Sequence, residues 1–190
     1  MPFDYPAILR AKYSAEPAPR DLIPTTGVPK PQILWVGCSD SIISETETLD
    51  VLSEELFVHR NLGNILSNGD LSSESAVEWA VGLLQVKHIV VCGHYNCALI
   101  KYSEEDNAEA LHGWYKDVTK LHTRFSSSDV SQNSDKSRQF EEIYVLAEVQ
   151  WLKKQPIVKQ AIEERGLQVH ALVFDREKNH VVRLVVEGQN

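Results

Sequence analysis

The sequence predicts an α/β domain with a mainly parallel central β-sheet flanked by helices. Three observations carry that expectation. Short apolar runs within 32–40, 55–64 and 87–94 lack the alternation of a half-exposed strand and suit strands covered on both faces. Segments with helical spacing alternate with them. Two further apolar runs around a polar turn, within 167–186, close the chain as a hairpin.

Taken in order, residues 1–30 are rich in proline and polar groups and form an N-terminal arm. A short helix is expected near Tyr5–Ser14, followed by an extended stretch with little core of its own. Such a stretch suits an arm lying on a partner subunit, or a flexible tail. Residues 31–190 form one α/β domain. Its first strand lies in QILWVGCSD (32–40), with a short helix in 45–55. A second strand, Leu56–His59, runs into a glycine-containing loop. Residues 71–86 place Ala76, Val77, Ala80, Leu83 and Leu84 at helical spacing, with Ser72 or Ser73 as the cap. A third strand, KHIVVCGH, spans 87–94. Leu111, Trp114, Tyr115, Val118 and Leu121 mark an amphipathic helix facing a core or a subunit interface. The serine-rich stretch 124–139 reads as a surface loop or a partly disordered segment. Helices follow at 142–155, stopped near Pro156, and at 157–166, capped by Gly166.

Composition narrows the function. A hydrophobic content of 43% and a charged content of 24% are those of an ordinary globular protein. A formal net charge of −8 disfavours nucleic acid or an anionic membrane as the main partner, since both need a basic surface. No apolar stretch approaches the roughly 18 residues of a membrane span. The N-terminus has no apolar core of a secretory signal and carries acids early, so a cytoplasmic location is expected. Three cysteines, Cys38, Cys92 and Cys97, do not make a disulfide framework.

In an open parallel sheet, functional groups collect at the carboxyl ends of the strands. Cys38 ends the first strand, and His94 and Cys97 follow the third on a strand-to-helix turn. Two thiolates and one imidazole are a ligand set that zinc uses in catalytic sites, with the fourth position free for water or a carboxylate. Soft thiolates argue against magnesium or calcium. The spacing alone fits two core cysteines and a loop histidine equally well. Cys92, among Val90, Val91 and Gly93, reads as a small buried hydrophobe.

The motifs CSDS (38–41), HRNLGN (59–64) and GHYNC (93–97), in this order, resemble those of the β-class carbonic anhydrases. The similarity runs from about Gln32 to Val186. It implies the β-carbonic anhydrase fold, one Zn²⁺ per chain held by Cys38, His94 and Cys97, and hydration of carbon dioxide to bicarbonate. It also implies a homodimer, sometimes paired into a tetramer. His59 is then a residue that positions its loop, outside the zinc ligands.

One departure stands out. Where the family's first motif continues with arginine, this chain has Ile42. In the family that arginine pairs with the aspartate, here Asp40, and holds it off the metal. Asp40 is therefore expected to act either as hydrogen-bond acceptor or as a conditional fourth zinc ligand, and CO2 hydration is expected to be weak. Arg60 is the nearby cation considered for compensation. Leu62 and Ala98 add bulk where the family usually has alanine and glycine. Two further readings follow from the same residues: hydrolysis of carbonyl sulfide or carbon disulfide, and a non-catalytic bicarbonate-binding homologue.

Overall fold

A computed structural model describes residues 2–102, 109–128 and 136–188. Six strands among them form one sheet: β1 (Tyr13–Pro17), β2 (Ile33–Cys38), β3 (Leu56–Asn61), β4 (His88–His94), β5 (Gln168–Asp175) and β6 (His180–Val186). Their order is β1-β6-β5-β4-β2-β3. The pairs β2–β3, β2–β4 and β4–β5 are parallel, while β5–β6 and β1–β6 are antiparallel. The sheet is thus parallel at its centre and antiparallel along one side.

The absence of alternation in the apolar runs has a direct cause. Every residue of β2 is buried. Leu34 and Val36 join one core cluster with Val77, Val145, Val149 and Val158. These last come from α3 (Leu71–Glu78), α6 (Lys136–Lys153) and α7 (Pro156–Arg165). Ile33 and Trp35 point the other way, into a cluster with Ile23, Leu49 and Phe174. That second face is covered by α2 (Glu45–Leu49) and by chain from the N-terminal segment. Period two persists in the backbone, but both faces are apolar.

Several elements differ from the sequence reading. The first helix, α1, is Tyr5–Arg10, and part of the extended stretch after it is strand β1. β1 pairs along the outer edge of β6 of the same chain, from Tyr13↔Val186 to Pro17↔Val182. The hairpin strand β6 leaves that edge unpaired, and β1 satisfies its backbone groups. The same N-terminal segment is tied down by buried Glu55, whose carboxylate accepts from Thr25 Oγ1 and from the N–H and Oγ1 of Thr26, each at 2.6 Å.

Helix α3 is capped by Asp70, which accepts from Ser73 N at 3.0 Å, rather than by Ser72 or Ser73. It begins at Leu71, so both serines already lie inside its first turn. α5 (Glu109–Ser126) runs into the 124–139 stretch and α6 begins at Lys136, earlier than expected, so that stretch is partly helical at both ends. Residues 129–135 lie outside the described residues. Pro156 opens α7 instead of merely ending α6, which its missing N–H permits at a first helical position. Gly166 ends α7 in the left-handed conformation, φ 69°, as expected.

Candidate metal centre

Because β2 and β4 are parallel neighbours, their carboxyl ends lie at the same edge of the sheet. Cys38 closes β2 and His94 closes β4. After His94 the chain turns through Asn96, held left-handed at φ 61°, and enters α4 (Ala98–Tyr102). That turn carries Cys97 back beside His94. One ligand atom from each of Cys38, His94 and Cys97 lies within 4.8 Å of the others, and all three residues are buried.

Helix α6 supports both loops. Glu141 Oε1 accepts the Cys97 N–H at 2.9 Å. Tyr144 donates its hydroxyl to the Gly63 carbonyl at 2.8 Å, and the Gly63 N–H in turn reaches Cys38 Sγ at 3.2 Å. Gly63 has φ 79°, and a Cβ there would sit 2.5 Å from Leu99 Cδ2, so glycine is strongly favoured. One turn further on, Glu148 accepts the N–H groups of Leu66 and Ser67, at 2.9 and 3.1 Å. Burial pushes both glutamates up to about 7.

The electrostatics suit a metal. The Cys97 thiol beside Cys38 holds the Cys38 thiol down to about 4, against the opposing effect of burial, with His94 and the N–H groups of Asp40 and Gly63 adding to it. Cys97 is correspondingly raised, because it keeps the proton beside the Cys38 thiolate. Burial disfavours a charged His94, but the Cys38 sulfur outweighs it and raises the imidazole. His94 Nδ1 faces the Tyr95 carbonyl at 3.3 Å, which assigns the proton to Nδ1. Nε2 is buried with no hydrogen-bond partner. A buried, unpartnered imidazole nitrogen aimed among two thiols is what a tetrahedral zinc site requires, and the three residues fit that ion.

Asp40 lies at the mouth of this cluster. Its carboxylate is exposed and accepts the Ala98 N–H at 3.4 Å. It lines a cavity of about 280 Å³ together with Ile42, His94, Phe174, Arg176 and Glu177. Ile42 is 65% exposed and Leu62 44% exposed. Arg60 is not available to Asp40. Its guanidinium makes four hydrogen bonds, to Glu45 and to the carbonyls of Cys38, Ser41 and Ile43, and is ion-paired with Glu45. It fixes the 38–43 loop instead. His59 Nε2 contacts Ser73 Oγ at 3.0 Å, away from the cysteines. Cys92 is buried in mid-strand.

Sequence reasoning missed Glu141, Tyr144 and Arg176. Glu141, Tyr144 and Glu148 fall at i, i+3 and i+7 of an otherwise apolar helix face, so acids in a buried stripe were the available signal. Nothing in the sequence pattern singles out Arg176, which reaches the site only through the β5–β6 turn.

A family model described as carbonic anhydrase matches residues 33–181. A carbonic anhydrase of Emericella nidulans is 36% identical over 150 residues, covering 76% of this chain and 65% of its own length. The wild-type β-carbonic anhydrase CafD of Aspergillus fumigatus superposes with a TM-score of 0.75 at 28% identity, covering 90% of this chain and 99% of its own. One of two tetrameric β-carbonic anhydrases of Sordaria macrospora gives a TM-score of 0.70 at 34% identity, covering 86% and 83%. The chain therefore spans about two thirds of the Emericella relative and nearly all of CafD.

Proposed function

Since the chain belongs to the β-carbonic anhydrase family, we propose that it catalyses the reversible hydration of carbon dioxide to bicarbonate, weakly, at a zinc ion held by Cys38, His94 and Cys97. The observation that carries this reading is His94 Nε2, buried and unpartnered, grouped with two cysteine sulfurs at the carboxyl ends of two parallel strands. When bound, the ion acidifies water, so that hydroxide is available near neutral pH.

The chain's own residues supply the rest. The Tyr95 carbonyl holds the His94 proton on Nδ1 and leaves Nε2 to ligate. Glu141 and Tyr144 fix the two ligand loops from below. Asp40 faces the reacting position from the mouth. It accepts a hydrogen bond from the attacking water and so orients it, or it turns inward as a fourth ligand and blocks it. Ile42 offers no cation to choose between these states, and Arg60 is engaged elsewhere. Hence the weak turnover.

The test is to express the protein, measure its zinc content and follow CO2 hydration by stopped flow. One zinc per chain with activity that rises with pH is expected. One zinc per chain without activity up to pH 9 would sink the catalytic reading and favour a bicarbonate-binding homologue. The exposed Ile42 and Leu62 favour one competing substrate class, the more apolar carbonyl sulfide or carbon disulfide. Sulfide release on adding either, faster than CO2 hydration, would select it. A homodimer, or two dimers paired, is the assembly this reading takes. It is supported by the exposed apolar Leu71, Trp79 and Leu83 and checked by sedimentation.

A further inference from the structure

The cavity at the mouth has one acid whose position matters to the reaction, Asp40, and among the described residues one basic side chain besides His94, Arg176. The two are not ion-paired. They line one cavity of about 280 Å³, with Ile42 and Phe174 also in its wall. Neighbouring cations are committed elsewhere. Arg60 is bonded to Glu45 and to loop carbonyls, and Lys101 donates to Asn96 Oδ1 at 2.9 Å.

Arg176 is also held in place by the fold. It is the first residue beyond β5, on the turn to β6. Phe174, two residues before it, accepts the Tyr95 N–H at 3.0 Å, so the end of β5 is tied to the loop that carries His94 and Cys97. Buried Asp175 accepts the N–H groups of Glu177 and Lys178, at 3.1 and 3.2 Å, and is ion-paired with Arg138. The turn is thus fixed on both sides of Arg176, while its own side chain is free in solvent at the cavity.

We propose that Arg176 is a positioning residue for Asp40: from the β5–β6 turn it draws the carboxylate outward, away from the cysteine–histidine cluster, in the role that no cation at position 42 can fill. The inference rests on the zinc reading above. A guanidinium acting across solvent is weaker than a paired one, because water and salt screen it. Arg176 therefore keeps a fraction of the sites open and does not abolish the inward state. Glu177 beside it offsets part of its field.

The experiment is a double-mutant cycle on the cobalt(II)-substituted protein, read as azide affinity from the visible spectrum. Azide takes the fourth position only when Asp40 is out, so its apparent affinity falls with the open fraction. Arg176→Ala is expected to weaken azide binding about three- to fivefold in the Asp40 background, the range of an exposed charge pair. Arg176→Lys is expected to retain most of the affinity. In the Asp40→Asn background Arg176→Ala is expected to change little, because no carboxylate remains to be held. An equal loss in both backgrounds would show plain attraction of the anion and overturn the proposal, as would no loss in either. Failure of the catalytic reading appears separately, as absent CO2 hydration in the wild-type zinc protein. Arg176 is exposed, so folding is not at stake, and far-UV circular dichroism checks that.

Discussion

Cys38 and Cys92 lie on neighbouring strands of one sheet and are equally buried, at 0% and 1% exposure. Their chemistry is opposite. Cys92 sits in mid-strand opposite Gly37, its thiol pushed up by burial and donating to the Gly93 carbonyl. Cys38 sits where β2 ends, its thiol held down to about 4 by Cys97, His94 and two backbone N–H groups. Inside a strand the backbone donors are largely committed to the ladder, and burial outweighs the small help that the Phe174 backbone gives Cys92. At a strand end the following loop releases them, and here the Asp40 and Gly63 N–H groups converge on one sulfur. Burial alone makes a thiol inert. Burial with converging donors favours the thiolate, the form in which a cysteine can hold a metal.

The comparison breaks most sharply on replacing each cysteine. Cys38→Ser is expected to weaken zinc binding by at least ~100-fold and to abolish CO2 hydration, read by metal analysis after gel filtration. Cys92→Ala should keep one zinc per chain and cost only about 1–2 kcal/mol in urea unfolding, the loss of a small buried group. Zinc loss from the Cys92 variant would remove the distinction.

Gly63→Ala sharpens the account of the donors. Its Cβ meets Leu99, and φ 79° strains any side chain. A destabilisation of about 1–3 kcal/mol is expected. If the Gly63 N–H matters to Cys38, zinc affinity should fall further than in a Leu99 variant of matched stability.

Glu148 gives the smallest effect. Burial pushes its carboxyl up to about 7, above an unfolded value of 4.5. Between those values the folded chain binds the proton more tightly, so this group's contribution to stability falls as pH rises from 4.5 through 7. Glu55 acts in a separate window. It is buried, but the threonine hydroxyls and backbone N–H groups around it hold it down to about 2, so its contribution is present above 4.5 and lost below. Glu148→Gln, read by unfolding at pH 5 and pH 7, should lower stability overall and flatten the slope between them by on the order of 1 kcal/mol. Glu141, also near 7, leaves a residual slope.

The parallel centre of the sheet is already legible in the sequence, since strands covered on both faces must be apolar through their middles, as 33–38 and 89–93 are. The same pattern brings the candidate ligands Cys38 and His94 together, since a cysteine and a histidine ending parallel neighbours share one edge. The sequence also located the departure at Ile42. Which donors and charges meet those residues depends on packing between segments far apart in the chain. β1 pairing with β6, α6 bringing Glu141 and Tyr144 under the Cys97 and Gly63 loops, and Arg60 satisfied by loop carbonyls are all contacts between distant segments, and Arg176 and Asp40 come from distant segments to line one cavity. Periodicity and motif spacing are local. A hydrogen bond between residues 81 positions apart, such as Tyr144 to Gly63, leaves no mark on either segment alone.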